Sequence, residues 1–389
     1  MIRAKLSYDV GLMNALRKVY GSEVEAFLNS LSTPPSRYYV RVNTLRATVD
    51  EVINRLRNRG IDVYRDEHIH EAIYFPVKGP YDVPTSNKVV VADKRAAESV
   101  MLGADLYIPG VLGGNFSKGS EVNVITPYGD IVAYGISLID YDELRKKPNG
   151  IAVKVIKSVY EVVKIRELTE YSEGLIYPQS LPSMLVGRLM NPLDSEVIVD
   201  ACAAPGGKTG HLIELSNGRA TIYAFDHSVS KVKDMLHELN RLGHSGLVKV
   251  FRADSRYIHV DFPWLKADKV LIDPPCSSLG VIPKLADSKR YEDILTLARY
   301  QIQFIRSAIN IVKPGGLIAY STCTVTFEEN EEVISKAINE FKLEIVEPTI
   351  KLGSKGIGTQ FDEYLIRFHP HIHRQPGYFI ALLRKRFSH

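Results

Sequence analysis

Val197-Ile198-Val199-Asp200-Ala201-Cys202-Ala203-Ala204-Pro205-Gly206-Gly207-Lys208-Thr209 reads as an apolar strand, a turn of small residues and the opening of a helix. That succession is the building unit of an α/β sheet covered by helices. The turn is not a P-loop. A P-loop needs glycine five positions before the glycine of its Gly-Lys-Thr, and here that position is Cys202. Nor does the turn contain Gly-x-Gly-x-x-Gly, which weighs against a dinucleotide site. What remains is a turn of small side chains, which lets backbone approach a flat or neutral ligand closely.

Outward from this turn the unit repeats. Strand-like runs over 221–226, 248–251, 269–272 and 317–320 lead to Asp226, Asp254, Asp273 and Cys323. Helical spacing covers 230–242, 292–312, where Lys313-Pro314-Gly315-Gly316 is expected to stop the helix, and 328–341. Such alternation implies a mainly parallel sheet with helices on both faces. A last strand over 378–383 is expected antiparallel, at or near the sheet edge.

The strand ends carry the chemistry. Asp226 stands where a carboxylate accepts bonds from both hydroxyls of a ribose, and Asp254 where it can reach the exocyclic amine of an adenine. Ribose and adenine without a pyrophosphate site fit S-adenosyl-L-methionine. Two of the chain's three cysteines close the set, in Asp273-Pro274-Pro275-Cys276 and Ser321-Thr322-Cys323. A lone free cysteine is more often a small buried apolar residue. Two at strand tips, beside Asp-Pro-Pro and a glycine-rich turn, favour reactive groups at the mouth of a sheet.

Upstream, apolar residues at helical spacing run over 8–31 and stop at Pro34-Pro35. A strand over 38–45, a helix capped by Asp50 or Thr48 and closed by Gly60, and short strands over 61–64 and 71–75 make a small α+β unit. Between 88 and 161 short β-type runs separated by Gly, Pro and Asn suggest a small barrel. Its opening helix over 93–102, followed by Gly103-Ala104-Asp105-Leu106-Tyr107-Ile108-Pro109-Gly110-Val111, resembles a PUA domain, a compact RNA-binding pseudo-barrel. The expected division is an N-terminal α+β (RRM-like) domain over 1–88, a PUA-like domain over 89–163, and a Rossmann-like methyltransferase domain over 164–389. Residues 164–190 are expected to return to the N-terminal unit.

The bulk numbers agree with a multidomain globular protein: 389 residues, 45% hydrophobic and 24% charged. No apolar run is long enough to span a bilayer and no charged-then-apolar leader opens the chain, so a cytoplasmic protein is expected. Three cysteines cannot form a disulfide framework. The net charge of +4 is uninformative, but its distribution is not. No acidic residue follows Glu363, while Arg367, Arg374, Arg384, Lys385 and Arg386 do. That tail is either a phosphate-facing surface or a solvated edge.

Asp200-Ala201-Cys202-Ala203-Ala204-Pro205-Gly206-Gly207-Lys208-Thr209, Asp273-Pro274-Pro275-Cys276-Ser277 and Ser321-Thr322-Cys323-Thr324, in that order, resemble the RNA cytosine-C5 methyltransferases of the NOL1/NOP2/Sun family. Arg41-Val42-Asn43-Thr44-Leu45, Tyr177-Pro178-Gln179-Ser180, Pro370-His371 and Gly377-Tyr378-Phe379 extend the resemblance. Tyr378 departs from it, standing where many relatives have Phe. With a PUA-like insertion, the subfamily resembled is the NSUN6 type, which implies methylation of a tRNA acceptor-stem cytosine, position seventy-two, beside the unpaired 3′ end. The resemblance makes Cys323 the nucleophile at carbon six of the base and Cys276 the residue that assists release of the adduct. Attack at carbon six makes carbon five enamine-like, splitting one hard step into two easier ones.

Within that chemistry, Asp273 hydrogen-bonds or protonates ring nitrogen three. The carbonyls of Pro274 and Pro275 accept from the exocyclic amine. Lys208 supports Asp273 and the thiols electrostatically, unless it is a solvent-facing lysine at a helix N-terminus. The donor is expected against Cys202, Ala203, Ala204, Pro205, Gly206, Gly207, Lys208, Asp226, Lys231, Asp254 and Asp273. Cys202 by itself reads most simply as a packing residue. His369, His371 and His373 alternate, as one face of a strand would present them, but no neighbouring acid or cysteine makes a metal set. No metal, no membrane and a monomeric state are expected. Two alternatives stay open: an amino-methyltransferase acting on an exocyclic nitrogen, and a non-catalytic RNA-binding scaffold.

Overall fold

The computed structural model describes residues 2–387. Its largest sheet has nine strands, here β1 (Val197–Asp200), β2 (Thr221–Asp226), β3 (Val248–Arg252), β4 (Ala267–Ile272), β5 (Val312–Thr322), β6 (Leu343–Val346), β7 (Ser354–Lys355), β8 (Ile366–Phe368) and β9 (Tyr378–Lys385). The order is β3-β2-β1-β4-β5-β9-β8-β7, with β6 paired on β9 beside β8. The strands from β3 to β5 are parallel and β9 runs antiparallel to β5. Val199, Val270, Ile272 and Tyr320 bury one face of this sheet under the helix Tyr291–Ile311, and Ile198, Leu271 and Ala319 bury the other under Leu181–Met190 and Gly207–Leu215. Strands buried on both faces need apolar residues at successive positions, which is why they read as unbroken runs.

Three expectations change here. The strand over 378–383 is not at the edge, because β6 and β8 divide its far side between them: β6 takes Leu382–Lys385 and β8 takes Tyr378–Ile380. The strand expected over 317–320 is longer, Val312–Thr322, and takes in Lys313-Pro314-Gly315-Gly316. The helix ends at Ile311 and these residues already belong to β5. The helix expected from 328 begins at Glu331, because Glu329 and Asn330 spend their side chains on neighbouring segments.

Residues 37–76 form a smaller sheet. Arg37–Val42 is paired by Ala72–Pro76 and by Ile176–Pro178, and it packs on the helix Val49–Asn58. Thr48, not Asp50, caps that helix, with Glu51 closing a capping box. A six-stranded barrel-like sheet follows, entered through Val89–Ala92 and the helix Lys94–Val100, which Asp93 caps. Pro109 and Gly110 break its second strand into a 3₁₀ turn between Leu106–Tyr107 and Val111–Gly114. The helices Val10–Tyr20 and Val24–Ser30 pack on Leu279, Ile282, Ile294 and Val325 of the large domain. No helix among the described residues is long and apolar enough to cross a membrane.

Two of the basic tail's five cations are turned inward, while Arg374, Arg384 and Arg386 are exposed. Arg367 is buried and paired with Glu331 at 2.7 Å, and the Lys385 ammonium donates to the carbonyls of Ile309 and Val312. These two charges are therefore not a phosphate-facing surface. His369, His371 and His373 do not share a strand face. Pro370–His373 is one helical turn, and His369 lies edge-on to Tyr20.

Candidate active site

Because β4 and β5 are parallel neighbours with Ile272 opposite Tyr320, their tips open side by side. The loop after β4 carries Asp273 and Cys276, and the residues ending β5 carry Ser321 and Cys323. The two Sγ atoms stand 3.4 Å apart, with both thiols free and partly buried. Ser278 Oγ lies 3.5 Å from Cys323 Sγ and 3.9 Å from Cys276 Sγ. Ser278 holds a φ of 56°, costly for a residue other than glycine, and the buried Lys284 ammonium fixes its carbonyl at 2.9 Å. The Gly280 amide donates to Cys323 O at 3.0 Å, and Gly280 packs so tightly on Gly377 that no Cβ would fit between them.

The thiols differ in ionisation although they touch. The hydrogen bond from Cys276 holds the Cys323 thiol below its ordinary value, and the same bond, together with burial, pushes Cys276 up. The shared bond favours the proton on Cys276 and the thiolate, the nucleophilic form, on Cys323.

Asp273 has three donors around it. Lys208 Nζ lies 2.5 Å from Oδ2, Ser321 Oγ donates to Oδ1 at 2.9 Å, and the Tyr378 hydroxyl reaches Oδ1 at 3.5 Å. Lys208 is not a solvent-facing lysine, for only 13% of its side chain is exposed. The neighbouring Asp273 and Tyr378 raise its pKa against the opposing effect of burial, so it stays charged. Tyr378, the departure from the family pattern, uses its hydroxyl here.

A cavity of about 310 Å³ opens beside the thiols. It is bordered by Ala201, Cys202, Ala204, Asp226, Lys231 and Asp254 from β1, β2 and β3, and by Asp273, Pro274, Cys276 and Cys323 from β4 and β5. Tyr300 and Phe304 add aromatic wall. Asp226 accepts from the Ser228 amide, and Asp254 is gripped by the Arg256 guanidinium, which holds its carboxyl below the usual range. Ala203, Pro205, Gly206, Gly207 and Lys208 do not border the cavity. They shape the turn: Gly206 sits at a φ of 100°, and a Cβ on Gly207 would meet the Tyr177 ring at 2.8 Å. The cavity size suits a small ligand, and the Asp226 and Asp254 carboxylates offer acceptors to its hydroxyls and amine. S-adenosyl-L-methionine, with its sulfonium, ribose and adenine, fits this donor set.

The turn is also held from outside its own domain. Arg41, fully buried, donates to both oxygens of Glu214 at 2.6 and 2.9 Å, to Gly207 O at 2.6 Å, and to Gln179. Glu71, from the same small sheet's surroundings, accepts from His211 at 2.6 Å and from Arg188. Arg41, Tyr177 and Gln179 entered the sequence reading only as a resemblance, and their shared target explains the motifs. Glu329, Gln301, Ser278 and Ser321 were missed as site residues. Only Ser321 had a signal, its place inside Ser-Thr-Cys.

The chain matches three family models: 16S rRNA methyltransferase RsmB/F over 188–384, PUA domain over 88–159, and an RsmF/B-like ferredoxin-like domain over 11–83. It is 40% identical over 391 residues to the tRNA (cytosine(72)-C(5))-methyltransferase of Pyrococcus horikoshii, covering 98% of each chain. It is 28% identical to the tRNA (cytosine(72)-C(5))-methyltransferase NSUN6 of Homo sapiens, over 89% of this chain and 82% of that one. The crystal structure of NSun6 from Pyrococcus horikoshii with SFG superimposes with a TM-score of 0.90 at 37% identity, over 98% of this chain and 99% of the other.

Proposed function

The chain belongs to the RsmB/F methyltransferase family, and on that premise we propose that it methylates carbon five of a tRNA acceptor-stem cytosine, position seventy-two, with S-adenosyl-L-methionine as donor. The full-length similarity to enzymes of that name supports the substrate. The cofactor is supported by the carboxylate-lined cavity and by SFG, an analogue of the donor, in the similar structure. One observation carries the chemistry: two unlike thiols 3.4 Å apart at the mouth of that cavity.

Held against Asp226, Lys231, Asp254 and the turn residues Cys202 and Ala204, the donor would supply an electrophilic methyl group. Everything else falls to the chain's own residues. The Cys323 thiolate forms a bond to carbon six, and the ring's electrons shift so that carbon five becomes the nucleophile. Ring nitrogen three takes up a proton from water as the thiolate adds, and the Asp273 carboxylate, ion-paired to Lys208, accepts a hydrogen bond from it, offsetting the charge that develops on addition. Pro275 O already accepts from Gln301 at 3.0 Å, which leaves Pro274 O and the free lone pair of Pro275 for the exocyclic amine. After methyl transfer the carbon-five proton passes to water, and the electrons of that bond restore the double bond between carbons five and six. Cys323 leaves as the thiolate with Cys276 assisting, and nitrogen three returns its proton to water. The cytosine has to leave its stack to enter this pocket, and a base at a stem end is cheap to extrude. The 88–159 PUA match supports contact with the acceptor stem and 3′ end.

Labelled methyl transfer to a panel of tRNA transcripts, with the modified base mapped, tests the reading. Incorporation at cytosine seventy-two, lost when that base is uracil, is the expected result. Incorporation elsewhere in the tRNA, or into an exocyclic nitrogen, would overturn it.

A further inference from the structure

Each active-site cysteine is followed by a hydroxyl residue, Ser277 after Cys276 and Thr324 after Cys323, and these two hydroxyls bond to each other at 2.6 Å. Both are fully or nearly fully buried, so no solvent competes for them. Behind them lies Glu329, also fully buried. Its Oε1 accepts from the Ser277 amide at 2.9 Å and from Gln301 at 3.0 Å, and its Oε2 accepts from Ser277 Oγ at 2.5 Å and from Thr326 Oγ1 at 3.0 Å. Ser277 has one hydroxyl proton and spends it on the carboxylate, so in the bridge Thr324 is the donor.

Four donors meet Glu329, and among the described residues no basic side chain pairs with it. A buried carboxylate without a counter-ion is a poor way to gain stability. It is a good way to fix direction, since four donors over-determine its position. The rest of the network has the same targets. Gln301 also holds Pro275 O, Tyr320 donates to Glu329 O at 2.7 Å, and the next residue, Asn330, accepts from Thr322 Oγ1 at 2.6 Å and donates to Thr324 O. Pro275 and Ser277 on either side of Cys276, and Thr322 and Thr324 on either side of Cys323, are all held by this network.

We propose that Glu329 is a positioning residue of the reaction: acting through Ser277 and Thr324, it clasps the two cysteine-bearing tips so that the base bonded to Cys323 stays within reach of Cys276 for release. The proposal rests on the division of labour between the cysteines set out above. It touches no reacting atom itself. A broken clasp leaves both thiols present, the cofactor cavity intact and the first bond to the base able to form, but separates formation of the adduct from its release.

Two measurements on the full-length enzyme test this. In the first, the diazene oxidant diamide removes two electrons and two protons from the thiol pair, and the rate of Cys276–Cys323 disulfide formation is followed by peptide mass spectrometry without RNA or cofactor. Thr324→Val and Glu329→Ala are expected to slow it about tenfold, because small displacements at such a contact are steeply felt, while Thr324→Ser restores it to within about twofold. In the second, the same variants are run with tRNA on a denaturing gel. Thr324→Val should retain a protein–RNA adduct as Cys276→Ala does, with kcat lowered and KM for tRNA little changed, and Thr324→Ser should not. Thr324→Val is nearly isosteric, so it remains decisive where Glu329→Ala does not fold. Disulfide rates unchanged in Thr324→Val would overturn the clasp while leaving the reading of the cysteines intact if Cys276→Ala still traps RNA. Slowed oxidation with free RNA in Thr324→Val, against an adduct in Cys276→Ala, would overturn the release role of the clasp. Free RNA in Cys276→Ala itself would overturn the division of labour and the clasp's function with it.

Discussion

The tips of β4 and β5 are neighbours ending in the same functional group, yet they are built differently. Cys323 follows Thr322, which is paired with Phe379 on β9, so the thiol is one residue beyond a hydrogen-bonded ladder. Cys276 is four residues beyond Ile272, at the end of a loop in which two prolines can offer no amide to a partner. The first thiol is fixed by the sheet. The second is fixed by side chains, chiefly the Ser277 contacts to Glu329 and Thr324. A nucleophile gains from a rigid mount, because orientation lowers the barrier to attack. A releasing group has to serve a base whose carbon five changes geometry, and a loop held by hydrogen bonds can follow it.

The sharpest way to break this comparison is to exchange the thiols for methyl groups one at a time. Cys323→Ala should lower tritiated methyl transfer by at least about a thousandfold and leave no adduct, since the covalent route is gone. Cys276→Ala should lower turnover by about a hundredfold yet accumulate an RNA adduct that survives denaturation. Lys208→Met is expected to cost about tenfold to a hundredfold in kcat by removing the cation from Asp273, and to move the alkylation midpoint of Cys323 upward, because Lys208 helps lower that thiol's pKa. The mildest test needs no RNA. Iodoacetamide reacts with thiolates, so its rate at Cys323 should rise with pH through a midpoint below 9.0, while Cys276 should respond only above that value. In Cys276→Ala the Cys323 midpoint should climb, since the donor that stabilises its thiolate is lost. Equal midpoints for the two cysteines in the unaltered protein would erase the distinction.

The comparison also separates what could be read in the sequence from what could not. The tips themselves were legible. Lys269–Ile272 and Leu317–Tyr320 are apolar runs that end abruptly in chemistry-bearing residues, and doubly buried strands leave that imprint. Asp226 and Asp254 could be placed by the same logic, and both border the cavity. The clasp left no such imprint. Ser277, Thr324 and Glu329 are ordinary surface-type residues until β4 and β5 are set side by side, and nothing local says that a glutamate 52 positions from Ser277 will accept its amide. The basic tail was legible only in part, for a related reason: Arg374, Arg384 and Arg386 are exposed, but Arg367 and Lys385 turn inward. Counting charge after Glu363 ignores burial, and Arg367 lies at 1% exposure against Glu331. The place of β9 was illegible because the order of insertion into a sheet need not follow the order of the chain. The histidines misled because Pro370 starts a helical turn where alternation alone suggested a strand.

Arg41 has a meaning for how the chain can be divided. Its guanidinium leaves a strand of the small N-terminal sheet and is consumed by Glu214 and Gly207 O, behind the cofactor turn, while Glu71 sends a carboxylate across the same seam to His211 and Arg188. Each half therefore keeps its partner's charge indoors. A fragment that carried the methyltransferase sheet alone would leave Glu214 without its guanidinium, and a fragment carrying the small sheet alone would expose Arg41. The barrel over 88–159 meets the methyltransferase domain through part-exposed contacts instead, Lys94 to Asp287 and the Leu285 amide to Glu98. The small sheet and the methyltransferase sheet are tied by buried charge, so neither can be cut away without stranding an ion in the other.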